Sequence, residues 1–459
     1  MVTLYEILDR VLNGPICKLR DWDMTVFRKA SEKLKEHGLA GTYNPDKPVS
    51  SDDSLAKAYF KAGWELAVEM GVLCTTTERI IKISDEELKD AIRTTPSQLN
   101  AGSGADIVHY RNRKPEDKTP AVTCLGSFGH PTSEEVFIQH SQAVVNHRYV
   151  DTHVSGTLVT AYGLKIRSGT PFETLAAYYE AKLTKEAVKR AGRPNMPIYG
   201  VELSATGYGN LGGYTWGGYT PQDPCICVSP AELKTDYNLL HKLIHRINIG
   251  GISSVLMSHQ ASVIGGYAGG VETTAIVNVA GCLLMVAVHF GTIAAHRCLD
   301  FRTSADTGRE SIWADSVVDN AVAGNTNLIV GGFAGSVAGP CTEMHLLETA
   351  NVAISRTVCG CGHFMGVKAT HGRYMDHSTP LESWIAAEVV KAVSGMKRDD
   401  ATEIVKKLLP RYEEKLADPP IGKAFQECFD LRKLKPSEEA VKLYNGVKKE
   451  LIDLGVPLL

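Results

Sequence analysis

Eight short apolar runs, at residues 121–125, 150–154, 196–201, 225–228, 253–257, 298–301, 327–330 and 356–359, recur along the chain with longer helix-period segments between most of them. That alternation restricts the chain to parallel strands joined by crossover helices, because parallel neighbours cannot be linked by a tight turn. Eight such units predict an α/β fold closed as a (β/α)8 TIM barrel, with a doubly wound open sheet as the alternative. The expected crossover helices are 171–190, 230–249, 274–295 and 308–323, while the first unit, 126–148, is short. Ahead of the strands, residues 28–37 and 53–71 have helical periodicity around a Gly/Pro/Asn-rich loop at 41–48. The expected organisation is an N-terminal helical extension (1–115), the barrel (116–378) and C-terminal helices packed on it (379–459).

The 49 basic and 52 acidic residues are mixed along the 459 positions, so no face is marked as a phosphate-backbone or membrane patch. Neither nucleic acid nor membrane is therefore an expected partner. Residues 275–295 approach bilayer-spanning length, but Asn278 and His289 interrupt them and no cationic flank follows, which fits a helix packed against a sheet. The first ten residues lack a basic head and an apolar run, so the expected location is cytoplasmic. Eleven scattered cysteines read as reduced core thiols, not as a disulfide framework.

In a barrel, functional groups belong where strands end and βα loops begin. His259 follows an apolar run, where its imidazole is a candidate base or metal ligand; a hydrogen-bonded structural histidine is the competing reading. Glu202 follows Tyr199 by three residues in a glycine-rich loop, where a carboxylate suits amine recognition or simply solvent. The string Cys359, Gly360, Cys361, Gly362, His363 has closely spaced soft ligands, and Cys227 and His259 could complete a zinc site from neighbouring strands. Small core thiols explain the same string. Gly265, Gly266, Tyr267, Gly269 and Gly270 let a backbone approach a flat or bulky ligand closely, and are not a dinucleotide fingerprint.

Several strings occur in order: FKAG (60–63), GRP (192–194), GGYAGGV (265–271), AGPCTEM (338–344) and FQEC (425–428), followed by a closing helix that ends in Leu454 and Gly455. In these the chain resembles the monomethylamine methyltransferases of methanogenic archaea. The resemblance implies a (β/α)8 barrel, a homo-oligomer, and methyl transfer from a methylamine to the cobalt of a small cognate corrinoid protein docked over the mouth. It implies no permanently bound cofactor; the cobalamin belongs to the partner, which the 265–270 turn would face. The family's pyrrolysine, an electrophilic imine proposed to hold the amine, falls by the register of the GRP string on Tyr199. The acidic position before Gln260 falls on His259, a glutamine of the seventh-strand loop on Phe333, and another carboxylate near Ile226.

A phenol cannot form an amine adduct. Tyr199, Glu202 and His259 are therefore the catalytic candidates, and Phe333, Ile226 and Gln260 the substrate-binding ones, for a donor other than monomethylamine. A quaternary amine would use an aromatic or anionic cradle from Tyr199, Phe333 and Glu202. A methylated thiol or O-methyl compound would favour a Lewis acid, with zinc held among Cys227, His259, Cys359, Cys361 and His363. The alternatives are a catalytically silent homologue that only binds the corrinoid protein, and an unrelated barrel lyase or hydrolase.

Overall fold

The structure, a computed structural model, describes residues 2–200, 206–215, 217–250 and 255–458. Its centre is eight strands: β1 (Val122–Leu125), β2 (Thr152–Val154), β3 (Ile198–Tyr199), β4 (Cys225–Val228), β5 (Leu256–Ile264), β6 (Ile293–Asp300), β7 (Ile329–Gly335) and β8 (His363–Lys368). All neighbouring pairs are parallel, in the order β3-β2-β1-β8-β7-β6-β5-β4. A parallel bridge between Gly200 and Cys225 joins the two ends, so the sheet closes into a barrel.

Side chains alternate across each strand, and the inward set forms its own apolar cluster: Val122, Cys124, Val154, Tyr199, Ile226, Met257, Ala295, Phe333 and Met365 belong to it. The outward set packs on the helices. Helix α9 (Val271–His289) has the length and hydropathy of a membrane span, yet it is almost wholly buried between β5, β6 and the N-terminal helices α2 (Leu19–Glu36) and α3 (Asp53–Met70). Its polar residues find partners inside: the Asn278 Nδ2 donates to the Arg297 carbonyl at 3.0 Å, its Oδ1 staying unpartnered among the described residues, and the His289 ring lies 2.9 Å from Ser258 and 3.0 Å from Thr235. At Gly63 of α3 a Cβ would strike Val279, which explains a glycine where two helices cross.

Helix α10 (Arg309–Asn325) and helix α11 (Glu343–Val358) are pinned to the strands by ionic contacts. Arg356 reaches Asp315 and Asp319 at 2.9 Å each, and the His296 ring bridges the same two carboxylates at 3.3 and 2.9 Å. All four side chains are buried.

Three expectations need correction. Residues 356–359 end helix α11, and the eighth strand is His363–Lys368. A short apolar, β-branched stretch has no period of its own, and the buried Arg356 network decides for helix. The sixth strand begins at Ile293, five residues before the expected run, because α9 stops at His289. The N-terminal region is not purely helical: Val72–Cys74 and Arg79–Ile81 form a small sheet with Lys234–Thr235, and Gln98–Ala101 pairs with Val108–Arg111. The second hairpin sends Leu99, Val108 and Tyr110 into the barrel's inner cluster and plugs its base. The cysteines also differ, since Cys341 and Cys428 form a disulfide that ties the AGPCTEM loop to the FQEC turn. The other nine are free.

Candidate active site

Inward-facing residues near the C-terminal ends of β5, β6 and β7 converge at the mouth. Phe333 of β7 lies at the centre, with Phe128 from the loop after β1 at 4.5 Å between ring centroids and His259 of β5 edge-on at 6.4 Å. The Arg297 guanidinium of β6 sits over the Phe333 ring at 4.9 Å. Asp306, from the loop after β6, accepts from the Gly335 backbone at 3.1 Å and approaches Arg297 at 3.6 Å. Burial pushes the Asp306 carboxyl up to about 7 against the pull of Arg297. Burial, reinforced by Arg297, holds the His259 imidazole far below its usual range, so it is neutral. His259 Nδ1 has no hydrogen-bond partner.

Tyr199 lies deeper. Its ring packs 5.1 Å from His363, and His363 in turn lies 5.6 Å from Tyr110 of the basal hairpin. His363 pairs in register with Gly331, two residues nearer the strand N-termini than Phe333. Burial and the neighbouring Tyr110 phenol hold the Tyr199 pKa well above normal, so the hydroxyl keeps its proton. The Tyr199 and Tyr110 hydroxyls are buried next to each other, and both ring nitrogens of His363 are buried without hydrogen-bond partners among the described residues. The barrel interior therefore contains an apolar stack with unsatisfied polar tips, an arrangement suited to a small polar guest or water.

Of the residues singled out in the sequence, the structure brings His259 and Phe333 together and puts Tyr199 and Ile226 in the same inner cluster. Glu202 lies outside the described residues. Gln260 does not face the barrel interior: alternation turns it outward against α9, where a Cβ on Gly281 would strike its side chain. The substrate-binding expectation for Gln260 is withdrawn on that ground.

The metal candidates also separate. Among the described residues, no three of Cys227, His259, Cys359, Cys361 and His363 present ligand atoms within 4.8 Å of one another. Cys359 caps α11, Cys361 lies in the turn before β8, and Cys227 faces outward into the layer between strands and helices. His363, at the start of β8, points inward at the base and not at the mouth. Strand geometry begins only at His363, so Cys359 and Cys361 do not share a strand face with it.

The glycine turn sits on the mouth face after β5. Gly265 and Gly269 have φ of +83° and +86°, and the Gly265 N–H donates to the Gly269 carbonyl at 2.7 Å. Tyr267 is half exposed, with Lys234 Nζ at 5.9 Å from its ring. Sequence reasoning missed Arg297, Asp306 and Phe128. Only the inward register of β6 exposes Arg297, and that strand's start was placed too late.

The family model for monomethylamine methyltransferase MtmB matches residues 2–456. Curated relatives include monomethylamine methyltransferase MtmB of Methanosarcina mazei and MtmB3 of Methanosarcina barkeri, each 34% identical over 98% of both chains. The crystal structure of the Methanosarcina barkeri monomethylamine methyltransferase superposes with a TM-score of 0.94 at 33% identity, covering 99% of this chain and 98% of that one. A hydroxylamine complex of MtmB superposes equally well, also with a TM-score of 0.94. With the match running nearly end to end in sequence and in fold, the chain belongs to the monomethylamine methyltransferase MtmB family.

Proposed function

We propose that this chain transfers a methyl group from a small methylated donor other than monomethylamine to the cobalt of a cognate corrinoid protein seated over the barrel mouth. The observation that carries the reading is the buried phenol of Tyr199 in the barrel interior; that it stands at the family's pyrrolysine position is what the resemblance implies. A protonated phenol forms no adduct with an amine, and burial keeps it protonated. It offers a ring wall and one hydrogen bond.

The residues above it supply the rest of a donor pocket. Phe333 and Phe128 give an aromatic wall, neutral His259 an imidazole edge, and Arg297 a cation. In the transfer, the methyl carbon leaves its nitrogen, sulfur or oxygen, which keeps the bonding pair; a quaternary nitrogen leaves as a neutral amine and needs no proton. The partner's corrinoid supplies the nucleophile. This chain's own residues hold the donor in line and exclude water, which is where positioning has its largest effect on rate. The Gly265, Gly266, Tyr267, Gly269 and Gly270 turn lies on the same face, with exposed Tyr267 available to the corrinoid protein. Because the cysteine and histidine candidates do not gather, no zinc-assisted step is included.

The experiment is donor-dependent methylation of cob(I)alamin, followed by absorbance, across monomethylamine, quaternary amines, thioethers and methyl ethers. Turnover with at least one donor and little with monomethylamine is the expected result. Monomethylamine acting as well as the best alternative would overturn the reading.

A further inference from the structure

Arg297 is the cation in the mouth whose hydrogen-bonding capacity the described residues leave unused. Its backbone carbonyl is taken by Asn278, but its guanidinium makes no hydrogen bond among the described residues, and Nε is buried without a partner. The Asp306 contact, at 3.6 Å, is one of charge and not a hydrogen bond, and Asp306 Oδ1 is already engaged by the Gly335 N–H. The Asp306 side chain is 1% exposed while that of Arg297 is 18% exposed, so Arg297 is the less buried member of the pair.

Its position is equally specific. The guanidinium carbon lies over the Phe333 ring, 4.9 Å from the centroid, which anchors the head group and leaves N–H groups to meet two oxygens of a planar anion. Apart from Asp306, which does not come within hydrogen-bond distance, the groups named around it supply no such anion. His259 and His371 are held neutral by burial, and Lys368 adds a second cation 5.9 Å from the Phe128 ring. A guanidinium held on an aromatic wall with no hydrogen bond to the described residues is an arrangement that binds a carboxylate bidentately.

We propose that Arg297 is a specificity-determining residue that binds a carboxylate on the methyl donor, so that the donor class is a methylated compound with a carboxylate a few bonds from its methyl-bearing heteroatom. The proposal deepens the functional reading above and rests on the mouth being the donor site. Arg297 holds the carboxylate, Phe333 and Phe128 pack against the methylated end, and the preference belongs to binding before any transfer.

The test uses matched probes that differ in the carboxylate: trimethylglycine against tetramethylammonium, (methylthio)acetate against dimethyl sulfide, and methoxyacetate against 2-methoxyethanol. Binding to the purified full-length protein is measured by calorimetry, and cob(I)alamin methylation is measured separately. At least one carboxylate should bind about tenfold or more tighter than its partner, a typical margin for a charge-assisted pair. Arg297→Met should abolish that margin, and Arg297→Lys should retain part of it. Asp306→Asn, which removes the competing carboxylate, should tighten binding a few-fold. Circular dichroism checks folding; if Arg297→Met does not fold, Arg297→Lys and Asp306→Asn carry the test.

No carboxylate binding at millimolar concentration, equal binding of the matched partners, or weaker binding in Asp306→Asn would overturn the proposal. The two readings fail differently. A carboxylate preference in binding with no transfer from any donor would sink the methyltransferase reading and leave the anion site. Transfer that ignores the carboxylate would do the reverse.

Discussion

Tyr199 and Asp306 show how burial, and not residue type alone, decides what a side chain in this barrel can do. Tyr199 keeps its proton, so its contribution divides into ring and hydroxyl. Tyr199→Ala is expected to cost about tenfold to a thousandfold in donor-dependent turnover through misplacement. Tyr199→Phe separates the parts: near-normal turnover means a wall, and a loss as large as alanine's means the hydroxyl holds the donor. Full activity in both variants would remove Tyr199 from the site. Asp306 makes a prediction about pH. Its folded pKa, about 7, is raised from an ordinary value of 3.8, so its stabilising contribution is complete below about pH 4 and is lost as pH rises through 7. Denaturant titrations between pH 5 and 8 should show a decline in the native protein that is shallower in Asp306→Asn, the difference reaching at most about 1.4 kcal/mol per pH unit. Parallel curves would contradict the assignment. At this scale His259 and Phe333 were singled out by residue type and family register, although His259 lies within β5 and not beyond its end. Arg297 was not, because residues 293–297 follow a long apolar helix without a break that periodicity can detect.

Elements were easiest to read where a helical period runs long. Pro171–Arg190 and Asp53–Met70 lie where their pattern placed them, whereas the helix expected over 28–37 begins earlier, at Leu19. The eighth strand was misplaced because tertiary contacts override a short local pattern. The Arg356, His296, Asp315 and Asp319 network holds residues 343–358 as a helix, although the end of that helix reads as a buried strand. Arg356→Met leaves two buried carboxylates without their cation and is expected to destabilise the protein by about 3–5 kcal/mol in denaturant unfolding. An unchanged midpoint would show that the network does not support the α10–α11 layer. The same contacts explain why Cys359, Cys361 and His363 do not form a ligand set: they lie at a helix end, in a turn and at a strand start.

For the whole molecule, the alternation of apolar runs with helices pointed to a closed parallel barrel over an open doubly wound sheet, although the eighth run proved to be a helix end. It was not enough to show that a hairpin from the N-terminal region plugs the base, because the inward direction of Tyr110 depends on contacts across more than two hundred residues. The Cys341–Cys428 disulfide was equally invisible to spacing, as it spans 87 residues and joins two loops. Closing a loop of that length is expected to stabilise the fold by about 2–4 kcal/mol, so dithiothreitol should lower the denaturant midpoint of the native protein but not that of a C341S/C428S variant. Equal responses would mean that the bond does not form in solution. The central claim is that this member of a monomethylamine methyltransferase family takes its methyl group from another donor. A competition tests it most directly: the protein, its corrinoid partner, and monomethylamine together with trimethylglycine, (methylthio)acetate and methoxyacetate at equal concentrations, each carrying a distinguishable isotopic label in its methyl groups, followed by mass analysis of the methylated cobalamin. The account predicts that the label comes from one of the carboxylate-bearing donors; label arriving from monomethylamine would contradict it.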